Sequence, residues 1–316
     1  MADLVVRHAT DEDIPRILDT LRAALGETAV LRRTPELWDW KHVSNPFGRS
    51  LVLVAEDGDQ IAGVRAMMRW ELDTPHGSTL RCLRPVDTAT HPDFLRRGIF
   101  RNLTMNALEV ARAEGVHLVF NTPNESSAPG YLRMGWQPVA KIGVMVRPRV
   151  GRAVTPSLDT PPSIGEMAPS LRRFDDSLPV APGRPPMGLR TPRSDRYVRW
   201  RFAAHPTASY GHLSGKNEGV AVARASIRGS VSELVVSDLL GARSDVIRTL
   251  ARSARTRYLA GWFSPIAPER QVALRAGMIP LPKRTLRLVA LPLSDVDLDV
   301  FELSSWDLAT SDLELL

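Results

Sequence analysis

Three arginines gathered around one glycine are the first residues in this chain whose types and spacing suggest chemistry. They lie in the run His91-Pro92-Asp93-Phe94-Leu95-Arg96-Arg97-Gly98-Ile99-Phe100-Arg101. An apolar helical pattern begins at Gly98, and a helix N-terminus presents unpaired N–H groups and the positive end of its dipole. Such a terminus favours phosphate. Gly98 has no Cβ, so the backbone can approach a pyrophosphate closely. Arg96, Arg97 and Arg101 add positive charge at the same point. A plain strand-to-helix turn has the same outline, so this segment alone decides nothing. A second polar cluster follows: Asn124, Ser127 and Tyr131 lie between a short apolar run and Gly135-Trp136.

These residues need elements to hold them. Thr10 with Asp13 three positions on reads as a capping box. Ile14, Ile17, Leu18, Leu21 and Leu25 follow at helical spacing, and Gly26 supplies the stop. Leu51–Glu56 reads as a strand that Asp57-Gly58 turns into another beginning near Gln60. A third strand is expected over about Leu80 to Thr90. The spacing of Phe100, Leu103, Ala107, Val110 and Ala111 predicts a helix from Gly98 to about Glu114. Val116–Phe120 reads as a short buried strand, and Tyr131 sits on a helical turn after a polar loop.

With that order of elements the chain resembles the GCN5-related N-acetyltransferase (GNAT) family over roughly residues 4–147. The second motif reads Asn124-x-x-Ser127-x-x-x-Tyr131-x-x-x-Gly135-Trp136, against the family's Asn-x-x-Ala/Ser-x-x-x-Tyr-x-x-x-Gly-Phe. The first departs from Gln/Arg-x-x-Gly-x-Gly/Ala: Leu95 stands at the Gln/Arg position and Phe100 at the last, while Gly98 keeps the central glycine. The resemblance implies acyl transfer, with acetyl-CoA or another acyl-CoA as co-substrate, to an amine in a ternary complex. It implies that Leu95, Arg96, Arg97, Gly98, Ile99, Phe100 and Arg101 cradle the cofactor phosphates. It places the pantetheine arm along Thr88, Ala89 and Thr90, with Asn124 and Ser127 beside it. Tyr131 falls at the family's usual proton-donor position for the departing thiolate; core packing is the other reading of that ring, and loop capping the other reading of Asn124. Asp87, one residue before the cofactor stretch, is the favoured base. Glu56, Glu71, Asp73, His91, His117 and Glu125 are further candidates, and His91 reads mainly as structural. Trp38, Trp40 and Trp70 fit an acceptor pocket or a core equally well.

Trp40-Lys41-His42-Val43-Ser44-Asn45-Pro46 is echoed 160 residues later by Trp200-Arg201-Phe202-Ala203-Ala204-His205-Pro206. Thr122-Pro123-Asn124 through Tyr131 to Trp136 is echoed 142 residues later by Ser264-Pro265-Ile266 through Ala273 to Met278. Two anchors in the same order imply that the halves share one fold. The expected architecture is mixed α/β (α+β), with two GNAT-like domains, each a central, mostly antiparallel sheet flanked by helices. Residues 1–150 form the acyltransferase domain, 151–162 a Pro-rich linker, and 163–316 a degenerate copy. Residues 148–192 hold ten of the 25 prolines, and 164–178 inside that stretch could still be helical. In the copy, Ala273 and Ile266 stand at the places of Tyr131 and Asn124, so only the first half is expected to bind coenzyme A. The tail after Trp306 either folds back to the cleft or forms a final strand with a frayed end, and the latter is the favoured reading.

Composition bounds the alternatives. The chain has 316 residues, 43% hydrophobic and 24% charged, which excludes a disordered or collagen-like protein. The single cysteine, Cys82, excludes an intramolecular disulfide and a cysteine-based zinc cluster, and no metal is expected. Without a secretory pattern at the start or an apolar run of about 18 residues, a soluble cytoplasmic protein with no membrane partner is expected. The formal charge is +6, with 41 basic residues against 35 acidic. Only four of the basic residues are lysines, and the arginines are scattered with no basic block. Nucleic acid is therefore not the expected partner. The leading reading is an acyl-CoA-dependent N-acyltransferase acting on a small amine such as an amino sugar or secondary metabolite. A non-catalytic GNAT-fold module that senses acyl-CoA or scaffolds a partner is the alternative, and a homodimer is left open.

Overall fold

The computed structural model describes residues 4–27, 32–149, 151, 153–154, 163–174, 184–215 and 219–313. Most of the expected linker 151–162 therefore lies outside the described residues. The chain divides into two compact units.

The first unit begins with β1 (Val5–His8) and α1 (Ile14–Leu25). The capping box forms as the sequence predicts: the Thr10 N–H donates to Asp13 Oδ2 at 2.8 Å. α1 buries Ile17, Leu18 and Leu21, and Gly26 ends it at φ +67°, a conformation that disfavours any Cβ. α2 (Pro35–Trp38) runs into a π-helical turn over Asp39–Val43. Next come β2 (Leu51–Asp57) and β3 (Gln60–Asp73), joined through Gly58 at φ +60°. β4 (Thr79–Thr90), α3 (Ile99–Ala113), β5 (Leu118–Asn121) and α4 (Ala128–Arg133) complete the run. β1, β2 and β3 are antiparallel neighbours, and β4 pairs in parallel with β5. α3 packs Ile99, Leu103, Ala107 and Ala111 into a core that also holds Leu83, Val119, Tyr131 and Trp136. Each large apolar side chain buried there contributes about 1.5–3 kcal/mol.

A cut at residue 150 does not describe the units. β6 (Gln137–Pro148) gives residues 140–148 to the second unit, where it pairs antiparallel with β11 (Tyr258–Gly261). Conversely, residues 287–292 of β12 (Ile279–Pro292) belong to the first unit and pair antiparallel with β5. Each half of the sequence supplies a strand to the other unit. Periodicity cannot show this, because strand register is decided by distant partners.

The second unit opens with α5, which covers only Ile164–Met167 and is followed by β7 (Arg172–Arg173), so the helix expected to continue toward residue 178 stops early. Then come α6 (Asp195–Val198), a second π-helical turn (Arg199–Ala203), β8 (Tyr210–Ser214), β9 (Val220–Arg228) and β10 (Val231–Leu240). α7 (Ser244–Ser253), β11 and α8 (Pro268–Arg275) follow, and α9 (Thr310–Leu313) is a buried helical turn where a final strand was expected. The two π-helical turns are 160 residues apart, and the residues capping the helices before them, Thr34 and Ser194, keep the same offset. No helix among the described residues is long and apolar enough to cross a membrane.

Candidate active site

β4 and β5 pair at Cys82–Leu118 and Leu83–Val119, after which β4 runs on to Thr90. The strands part there. His91 N–H donates to Ala62 O at 2.9 Å. Strand alternation then turns the backbone groups of Thr88 and Thr90 toward the open edge and those of Ala89 toward β3. The Ala89 side chain packs against α1. Of the three expected pantetheine contacts, the geometry thus favours Thr88 and Thr90 and leaves Ala89 in the scaffold.

The phosphate loop lies between β4 and α3. Gly98 caps α3 at φ +75°, and Arg96 is left-handed at φ +64°. Left-handed residues of this kind are a component of the backbone turns whose successive amides converge on an anion. The side chains there do unequal jobs. All three arginines are exposed, but Arg97 is tied to Asp57 at 3.0 Å and lies over the Phe94 ring. Leu95 is 58% exposed, and the Ile99 side chain is buried in the core, leaving its amide as the group that can face a phosphate. Phe100 meets Tyr131 edge-on, with ring centroids 5.5 Å apart. A Cβ on Gly130 would lie 2.8 Å from the Phe100 ring. The large residue at a normally small position is thus matched by a glycine on α4.

Tyr131 is 4% exposed, and its Oη accepts a 2.8 Å hydrogen bond from Arg65 Nη1. The same Nη1 donates to Thr88 Oγ1 at 2.9 Å, linking the phenol to the open edge of β4. Asn124 behaves as a cap: its Oδ1 accepts from Ser127 N at 2.9 Å and from the Ser126 hydroxyl at 2.8 Å. Ser127 in turn caps α4. Only the Asn124 amide nitrogen is left by these bonds to meet a ligand. Asn121, at the end of β5, is buried, and its Oδ1 has no hydrogen-bond partner. Such an acceptor suits an amide N–H entering between the strands.

Asp87 is held in a way that sequence reasoning does not anticipate. Its carboxylate accepts from Lys41 Nζ at 2.7 Å, His42 Nε2 at 3.0 Å and Arg33 Nη1 at 3.1 Å. Burial alone would raise its pKa, but the Lys41 charge and the His42 contacts outweigh it and hold it well below the usual carboxylate range. His42 lies between Asp87 and Ser50 Oγ (2.9 Å), and burial pushes its pKa down although Asp87 pulls it up. A carboxylate so stabilised is a poor proton acceptor, so the geometry argues against Asp87 as the base. Asp87 also has φ +41°; together with Arg96 it is one of the two non-glycine residues at positive φ among those described. Strained backbone of this kind clusters at functional sites.

Three of the other base candidates are also engaged, whereas Glu125 is exposed on the loop before α4. Glu56 is held by Arg7 at 2.7 Å, His117 Nδ1 accepts from Arg81 N, and His91 accepts from Asp93 N. Cys82 is buried, and burial raises its thiol far above the ordinary range. Trp38, Trp40 and Trp70 are core residues. Cavities of about 280 Å³, lined by Trp38, His42 and Ser50, and 560 Å³, lined by Asp57, Gln60 and His91, open on the first unit. Neither reaches Tyr131.

Residues 5–139 match the model of the acetyltransferase (GNAT) domain. The chain carries a GNAT domain. No curated protein matches the chain in sequence. A probable N-acyltransferase from Enterococcus faecalis V583 is similar in structure, at TM-score 0.61 and 12% identity, over 92% of this chain and 73% of that one. Eis1 from Mycobacterium abscessus matches at TM-score 0.56 and 16% identity, over 90% and 73%. A tandem GNAT protein from the clavulanic acid biosynthesis pathway matches at 0.55 and 17%, over 93% and 100%. These likenesses show that the fold is a tandem GNAT fold.

The GNAT repeat extends to the ion clusters. Arg193 stands 160 residues after Arg33 and grips Asp238 on β10 at 2.7 Å, as Arg33 grips Asp87 on β4. Around Asp238, however, the chain's own tail is packed. Ser311 Oγ donates to Asp238 at 2.8 Å, and Asp312 pairs with Arg193 at 2.7 Å. Thr310 Oγ1 accepts from Trp262 N at 2.7 Å, and Ser264 N donates to Leu308 O at 2.9 Å. Residues 308–312 thus fill the space past the end of β11 that corresponds to the open edge in the first unit. Ala273, at the place of Tyr131, is fully buried and apolar.

Proposed function

We propose that the protein is an acyl-CoA-dependent N-acyltransferase, using acetyl-CoA and acting on a small amine such as an amino sugar or secondary metabolite. Its site would lie in the first unit. The observation that carries this reading is the buried Tyr131 phenol, hydrogen-bonded through Arg65 to Thr88 on β4 and packed edge-on against Phe100 at the start of the helix that follows Gly98. The Arg96–Gly98 amides would hold the pyrophosphate, and the Thr88 and Thr90 backbone would pair with the pantetheine arm. When the amine attacks the thioester carbon, an open-edge amide of β4 stabilises the developing oxyanion. The C–S bond then breaks with its electron pair going to sulfur, and Tyr131 supplies the proton. The amine nitrogen releases its own proton to water, since Asp87 is held as a carboxylate by its three cationic and imidazole partners.

Replacing Tyr131 by Phe should lower kcat by about 10²–10⁴-fold, the usual worth of a general acid, with little change in the KM for acetyl-CoA. Wild-type kcat in that variant would contradict the assignment. The engaged state of Asp87, Glu56 and His117 favours a second reading, a non-catalytic module that senses acyl-CoA. Acetyl-CoA binding without turnover across a broad panel of amines would support it.

A further inference from the structure

Arg65 is the most deeply buried cation near the phenol, on the middle of β3 and 0% exposed. Its Nη1 serves Tyr131 and Thr88, while Nε and Nη2 have no hydrogen-bond partner. Its guanidinium carbon lies 5.1 Å from the Tyr131 ring centroid and 5.3 Å from that of Phe100. Among the described residues it forms no ion pair with a carboxylate. Burying a cation without a counter-ion is costly, and the two aromatic faces offset only part of that cost. A fold keeps such a group where negative charge arises transiently.

We propose that Arg65 is a positioning residue for Tyr131, turning the phenol proton away from the guanidinium and stabilising the phenolate left after that proton is given away. The inference rests on Tyr131 being the proton donor. Because Arg65 Nη1 is a donor, the Tyr131 oxygen must accept from it, and the phenol's own hydrogen is turned away from Arg65. As the C–S bond breaks, the electron pair goes to sulfur and the Oη–H proton follows it. The oxygen keeps the O–H pair as phenolate beside the guanidinium. The proton released by the acylated amine then restores the phenol through water, so the cycle returns to its start with an amide and free thiol formed. In a dry site the attraction between the guanidinium and the phenolate is much stronger than in water, and it is absent while the phenol is neutral. That is the signature of transition-state stabilisation without tighter substrate binding.

The test is a double-mutant cycle in the full-length protein, read as kcat and KM for acetyl-CoA with one amine acceptor. Arg65→Met should lower kcat about 10²-fold with KM little changed, and Arg65→Lys, which keeps the charge, should recover part of the loss. In a Tyr131→Phe background Arg65→Met should cost almost nothing further, because the group it serves is gone. Cooperative thermal melts identify which variants are folded, and Arg65→Lys keeps the cycle usable if Arg65→Met does not fold. The same fold-loss in both backgrounds, a defect confined to KM, or wild-type kcat in Arg65→Met would overturn the role of Arg65 alone. Wild-type kcat in Tyr131→Phe would instead overturn the proton-donor reading on which it rests.

Discussion

Asp87 shows how burial changes what a residue can do. Its place beside the cofactor stretch makes it a natural base, yet its partners come from 45 to 54 residues away, a distance at which no spacing rule operates. The structure gives it a structural role, anchoring the α2 region to β4. Asp87→Ala would leave Lys41 and Arg33 buried without their shared counter-ion, so it should destabilise the protein by about 3–5 kcal/mol, measured by urea denaturation. The sign of the pH effect follows from the lowered carboxyl. Its contribution is fully present above the unfolded value near 4 and fades as pH falls through the lower folded value. The stability difference between wild type and Asp87→Ala should therefore narrow below about pH 4; a difference constant with pH would contradict the ion-pair account. Arg65 did leave a signal in the sequence, since it is the one charged residue in the otherwise apolar run Ile61–Met68. Interior strand positions seldom carry an arginine without a task.

At the scale of elements, the alternating strands, the helix behind Gly98 and the polar turn before Tyr131 were legible because each rests on local chemistry: periodicity, caps and turn residues. The exchange of β6 and β12 between the units was not legible, because antiparallel pairing is set by partners more than a hundred residues apart. The tail was misjudged for a related reason. Residues 308–313 read as a frayed final strand, but Ser311 and Asp312 are buried against Asp238 and Arg193. Asp312→Ala should destabilise the protein by about 3 kcal/mol and lower Tm, as scanning calorimetry would show. If Tm is unchanged, the tail does not hold the second unit together. This packing also gives the degenerate copy a physical meaning: the edge that lies open in the first unit is covered in the second by the chain itself.

For the molecule as a whole, the basic balance looks different once the arginines are placed. Arg7, Arg33, Arg184 and Arg193 are committed to internal carboxylates, and Arg65 is buried beneath the phenol. These ion-paired arginines cancel against their carboxylates, so the +6 excess is carried by other residues, among them the exposed loop arginines Arg96 and Arg101. On the proposed function, two copies of one fold, one open and one filled, would give a single coenzyme site per chain. The most direct test is isothermal titration of the full-length protein with acetyl-CoA, alongside Gly98→Glu. That variant sets a carboxylate in the phosphate loop at a position with open space around the Cβ, although its positive φ adds about 1–2 kcal/mol of strain. The account predicts one equivalent of acetyl-CoA bound per wild-type chain and none by a folded Gly98→Glu. Two equivalents, undiminished binding by the variant, or no binding by the wild type would contradict it.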